Sequence, residues 1–91
     1  MPTVSFAKAV QRHTDCPPEQ IDGSSLREVL DGYFAVHPAV RSYVLDERGA
    51  VRKHIAVFVN DTLVIDRDEL SDALADDDRV AVFQALSGGS T

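Results

Sequence analysis

Two glycines near the end of the chain, Gly88-Gly89, are the residues with the clearest chemical use. Neither has a Cβ, so this stretch of backbone is thin and reaches φ/ψ values closed to other residues. Such a peptide can enter a narrow channel in another protein and present a glycine carboxylate there. Ser90 and Thr91 follow, so the chain as written does not end on that carboxylate. The other candidates are weaker. His13, Cys16, His37 and His54 are the potential metal ligands, but no pair has HxxxH or CxxC spacing and they fall on separate elements. Cys16 lies between Asp15 and Pro17, and a neighbouring carboxylate raises a thiol pKa, the wrong direction for a nucleophile. The acidic clusters Asp66/Asp68/Glu69 and Asp76-Asp77-Asp78 lack the spacing and terminal glutamate of a calcium loop. They read as turns and solvated surface, with docking charge as a further use. Arg48, Arg52 and Lys53 flank a strongly apolar run; they are too few for nucleic acid and read as a solubilising hairpin tip.

Composition narrows the field. A chain of 91 residues makes one small domain, with a modest core and no deep enclosed pocket. An apolar content of 44% suits a folded protein. The net charge of −6 argues against a nucleic-acid partner, which needs cations for its phosphates, and suits a basic partner surface. A single cysteine excludes an internal disulfide and a cluster held by thiolates of this chain alone. No apolar stretch approaches membrane-spanning length, and the first residues do not read as a signal peptide, so a cytoplasmic protein with no membrane partner is expected.

The elements that must position the tail follow from periodicity. Thr3-Val4-Ser5-Phe6-Ala7 alternates as a half-buried strand does. Asp15-Cys16-Pro17-Pro18 is a turn, and Glu19 to Asp22 is a short strand that makes a hairpin with the first. Ser25-x-x-Glu28 has capping-box spacing, and Leu26, Val29, Leu30, Tyr33 and Phe34 form one helical stripe that Pro38 brings to an end near His37. Gly32 within that helix suits a close approach. Val40 to Leu45 reads as a second helical turn and Asp46-Glu47-Arg48-Gly49 as a turn. His54 to Val59 is apolar on both faces and reads as a central strand. Asn60-Asp61 turns it into a partner strand, Leu63-Val64-Ile65. Asp68 to Leu74 reads as a helical turn, and Arg79 to Ala85 as the last strand. The reading is one α+β domain over residues 1–86 with a flexible tail over 87–91.

This order, with a glycine pair directly after the last strand, resembles the MoaD/ThiS family of ubiquitin-like sulfur carriers. The resemblance runs through Val4-Ser5-Phe6, Ser25-Leu26-Arg27-Glu28-Val29-Leu30, Val57-Phe58-Val59-Asn60-Asp61 and Asp77-Asp78-Arg79-Val80-Ala81-Val82-Phe83, then Ala85-Leu86-Ser87-Gly88-Gly89. Arg12-His13-Thr14 is more similar to the carriers of the alternative cysteine-biosynthesis pathway. The resemblance implies a β-grasp fold, a mixed sheet of four to five strands on one main helix. It implies a carrier and not an enzyme, with no bound cofactor and ATP consumed by an adenylating partner. Gly89 would carry the thiocarboxylate and Gly88 would give channel access. A sulfur-acceptor synthase would be the second partner, and a metallopeptidase would remove Ser90 and Thr91. For docking, strand parity matters. If Val80 and Val82 face the helix, Ala81, Phe83 and Ala85 share the opposite face, beside Leu86 and joined by Phe58. The other register buries Phe58 and Phe83. Two further functions fit the same residues: a protein modifier conjugated through Gly89, and a non-covalent β-grasp module with an inert tail.

Overall fold

The computed structural model describes residues 1–84. A five-stranded sheet packs one face against helices, in the order β2-β1-β5-β3-β4. The strands are β1 (Thr3–Phe6), β2 (Glu19–Gln20), β3 (Ile55–Val59), β4 (Thr62–Leu63) and β5 (Arg79–Gln84). The helices are α1 (Lys8–Gln11), α2 (Leu26–Val36) and α3 (Pro38–Val44). The last strand is the middle one: β5 runs parallel to β1 and antiparallel to β3. That mixed sheet with its main helix is the expected ubiquitin-like β-grasp. Both edge strands have only two residues, which leaves little unpaired backbone for another chain.

The alternation read from the sequence sets the core. Val4, Phe6, Ile55, Val57, Val80 and Val82 point inward from the sheet and meet Leu26, Val29, Leu30, Tyr33 and Phe34 of α2. Ser25 caps α2, its hydroxyl accepting the Glu28 N–H at 3.2 Å. The reciprocal bond differs by one residue from a capping box. The Glu28 carboxylate accepts from the N–H of Ser24 at 2.8 Å and its hydroxyl at 3.0 Å, and these bonds hold its pKa down. The helix stops at Val36, one residue before the His37-Pro38 junction, and Pro38 opens α3, where its missing N–H costs nothing. A Cβ on Gly32 would lie 2.6 Å from Ile21 Cγ2, so that helical glycine does mark a close approach.

Three readings need correction. Asp68 to Leu74 is not helical. Its carbonyls serve α2 instead: Asp72 O accepts from Leu26 N at 2.8 Å and Leu70 O from Arg27 N at 2.9 Å. A helix start has orphan N–H groups, and an extended neighbour that satisfies them cannot use those carbonyls in a helix of its own. Leu70 accordingly sits at φ 56 with its side chain fully buried. The partner strand is shifted, being Thr62–Leu63. Asn60 (φ 50) and Asp61 (φ 71) form a two-residue hairpin turn that pairs Val59 with Thr62. Strand β3 is interior but only its inner face is buried; Ala56 and Phe58 are half-exposed.

Candidate functional site

The outer face of the sheet carries an apolar depression of about 420 Å³ lined by Ala56, Phe58, Asp61, Ala81 and Phe83. Register builds it: Ala56 lies opposite Phe83 and Phe58 opposite Ala81 across the β3–β5 ladder. The two rings meet edge to face, with centroids 5.4 Å apart and planes at 80°. Phe83 is 43% exposed while Val80 and Val82, one residue out of phase, have no exposure. The register adopted is therefore the one that turns Ala81, Phe83 and Phe58 outward. Ala85, Leu86, Gly88, Gly89, Ser90 and Thr91 lie outside the described residues.

Gln84, the final residue of β5, is tied to the helix layer. The Tyr43 hydroxyl on α3 donates to Gln84 Oε1 at 2.9 Å. His13 stacks on the Tyr43 ring at 5.5 Å, and His54 meets it edge-on at 5.7 Å. These two histidines, candidate metal ligands by residue type, thus brace the aromatic ring that holds Gln84. A spacing of 30 residues between His13 and Tyr43 gives no sequence signal for this. His37 bonds Glu19 at 2.8 Å instead, joining the α2–α3 junction to β2. Cys16 is buried, and burial first, then Asp15, pushes its thiol pKa up. Among the described residues no group of three or more histidine, cysteine and acidic side chains is placed to hold a metal.

Of the basic residues, Arg48 sits at the tip of the turn closed by the antiparallel Leu45–Val51 bridge, whereas Arg52 and Lys53 lie beyond that bridge. Arg48, Arg52, Lys53 and His54 line an open cleft of about 620 Å³ with Asp46, Ile65, Arg67 and Asp68. Arg67 was not singled out in the sequence. Its guanidinium donates to the Ile55 carbonyl at 2.7 Å and to the Arg52 carbonyl, so it holds the strand's approach in place. Gly49, at φ 85, lets the preceding turn close, and its carbonyl accepts from Arg27 on α2 at 2.9 Å.

A family model described as the ThiS family matches residues 9–89. The chain belongs to the ThiS family. Its members are small carrier proteins and not enzymes. Solved structures share the ThiS-family fold. CysO of Mycobacterium tuberculosis is similar at 25% identity and TM-score 0.78, over 93% of this chain and 99% of that one. The small archaeal modifier protein SAMP1 of Haloferax volcanii is similar at 25% identity and TM-score 0.75, over 97% and 98%. The CysO in a BexX/CysO complex from Amycolatopsis orientalis superposes at TM-score 0.80 with 24% identity, over 98% and 100%. No curated protein matches the sequence. No helix among the described residues is long and apolar enough to cross a membrane.

Proposed function

We propose that the chain is a sulfur carrier whose reacting group is the Gly89 carboxylate. The observation that carries this reading is that the ThiS-family match runs to Gly89 and stops there. The peptide bond between Gly89 and Ser90 is first hydrolysed, by a metallopeptidase, to release that carboxylate. An adenylating partner then lets the carboxylate oxygen attack the α-phosphorus of ATP, releasing pyrophosphate. A carboxylate is a poor electrophile, and the acyl adenylate is a good one because AMP leaves readily. A sulfide-equivalent nucleophile displaces AMP and leaves a thiocarboxylate, which an acceptor synthase uses as its sulfur donor. The chain supplies no catalytic side chain and holds no cofactor. It supplies Gly88 for passage through a channel and the Phe58–Phe83 face for docking, with Ala85 and Leu86 as further docking residues. The cysteine-biosynthesis, molybdopterin, thiamine and sulfur-metabolite pathways are all served by this chemistry. The similarity of Arg12-His13-Thr14 to the cysteine-biosynthesis carriers favours the first.

The likeness to a small archaeal modifier favours a second reading, conjugation to lysines through Gly89. The products separate the two. Sulfur carriage yields a free chain ending at Gly89 whose mass rises by one oxygen-to-sulfur exchange after ATP, activating enzyme and sulfide are supplied. Conjugation yields a ladder of higher-mass adducts. Intact-mass measurement of protein from its own cells is the first test: a mature species still carrying Ser90 and Thr91 refutes both. If the chain is a non-covalent module, removal of residues 88–91 leaves its binding intact.

A further inference from the structure

The cationic cleft borders the end of β5 at Gln84, the last described residue. Ile55 pairs with Gln84, so Arg52, Lys53 and His54 lie just before β3 at the sheet end to which β5 delivers the tail. Four of the nine lysine and arginine residues line this cleft beside two carboxylates, Asp46 and Asp68, so its lining is net positive in a chain of net charge −6. The surroundings of Arg48 and Lys53 keep these two available. The Asp46 carboxylate is turned into its own turn, accepting from the N–H groups of Arg48 at 2.9 Å and Ala50 at 3.1 Å, and its contact with the Arg48 guanidinium is a loose 3.9 Å. The Arg48 side chain is 84% exposed, and Lys53 is exposed. The floor is fixed, because Arg67 clamps the Arg52 and Ile55 carbonyls and Arg52 donates to the Ser42 carbonyl at 2.8 Å. One wall carries Ile65, which is 90% exposed.

We infer that this cleft receives an acidic segment of the partner protein, carboxylates flanking an aliphatic residue, at the mouth of the channel that takes the tail. The inference rests on the carrier reading above. Charge complementarity selects the ligand's sign, and Ile65 calls for an apolar contact in its middle. A nucleotide fits poorly. The lining has no phenylalanine, tyrosine or tryptophan on which a base would stack, its one aromatic ring, His54, already packs edge-on against Tyr43, and none of its residues belongs to a helix whose N-terminus would hold phosphate. Elsewhere the chain's acidic surface repels an acidic partner, so the cleft also fixes orientation: the partner is held with its channel over the tail root.

The test uses the Gly89-ending carrier and its adenylating enzyme in ATP–pyrophosphate exchange. Arg48→Glu and Lys53→Glu are made singly and together. Arg41→Glu is the charge-matched control for each single reversal; Arg41 is exposed on α3 and two positions from Tyr43, hence on the far side of that helix. The double reversal is expected to raise KM roughly tenfold with kcat retained, since reversal of steering charges acts on encounter. The control is expected to stay within about twofold of wild type, as an isolated surface charge does. A double reversal that behaves like the control overturns the inference while exchange by the wild type leaves the carrier reading standing. No exchange with any variant, wild type included, overturns the carrier reading and this inference with it. Urea midpoints confirm folding; if the double reversal is unfolded, Arg48→Gln with Lys53→Gln is used, with an expected KM rise of about threefold. Amide shifts over residues 48–54 that saturate with inorganic phosphate alone, and not with an acidic peptide containing leucine, overturn the inference in favour of a small-anion site.

Discussion

Replacing Phe83 by alanine separates docking from folding, because Phe83 is both an aromatic partner of Phe58 and the most exposed ring of the outer face. Its stability cost follows from its position. A fully buried phenylalanine contributes about 1.5–3 kcal/mol, so a ring with 43% exposure contributes roughly 1 kcal/mol through area. The edge-to-face pair with Phe58 adds about 0.5–1 kcal/mol at this half-exposed site. The expected loss is therefore about 1.5–2 kcal/mol, against roughly 5–10 kcal/mol for a domain of this size. The variant stays folded. Docking is affected more strongly, since truncation of an aromatic anchor in an interface costs about 2 kcal/mol or more, roughly 30-fold in affinity. Urea unfolding monitored by circular dichroism reads the first quantity. The KM for the carrier in adenylation reads the second, with Phe83→Leu as an intermediate that keeps apolar area. A folded Phe83→Ala protein whose KM stays within about twofold of wild type would refute the assignment of this face to docking.

Gly32→Ala is expected to destabilise by about 0–2 kcal/mol, because overpacking by about 1–3 kcal/mol outweighs a helix-propensity gain of about 1 kcal/mol. Pairing it with Ile21→Ala removes the Cγ2 that the new Cβ meets, so the double variant should be more stable than additivity predicts in urea titrations. Acid should weaken the fold in a defined window. The Ser71 hydroxyl and the N–H groups of Ser71 and Glu69 hold the Asp66 carboxyl at about 2, below its ordinary 3.8. A depressed folded-state pKa gives stability that is present above the ordinary value and lost as pH falls towards the folded one. Asp46, Asp78 and Glu28 are shifted in the same direction by the backbone N–H groups they accept. The Tm should hold above about pH 5 and fall from about pH 4 to about pH 2, and Asp66→Asn should flatten part of that slope. Arg67→Gln removes the clamp on the Arg52 and Ile55 carbonyls and is expected to cost about 1–2 kcal/mol. Hydrogen exchange of residues 51–55 should accelerate more than that of β1.

The parts of the fold legible in the sequence are those fixed by local pattern. The stripe of α2 and the Ser25 cap state a helix and its start without help from elsewhere. The alternation in β1 and β5 states that one face is buried and leaves two parities for β5, of which the structure takes the one that turns Phe83 outward. The rest depends on partners distant in sequence. Helix α1 has four residues, too few to show a periodicity, and stands because Val10 is buried in the core. Leu70 and its neighbours bend to the needs of α2, 42 residues away in the case of the Glu69 carbonyl and Arg27. The cleft gathers Arg48 to His54 with Ile65 and Arg67 from across the β3–β4 hairpin, and composition alone showed only an acidic chain.

The bond between Tyr43 and Gln84 has a metric consequence. It fixes the pivot from which the tail departs, with Phe83 on one side of the strand and the braced tyrosine on the other. Gly89 is the fifth residue after Gln84, and a fully extended chain covers no more than about 18 Å in those five steps. The protein is thus a ruler as well as a handle. On the carrier reading, an enzyme working on the Gly89 carboxylate must bring its reacting atoms within that radius of Gln84, and enzymes of different shape that act there would share that limit.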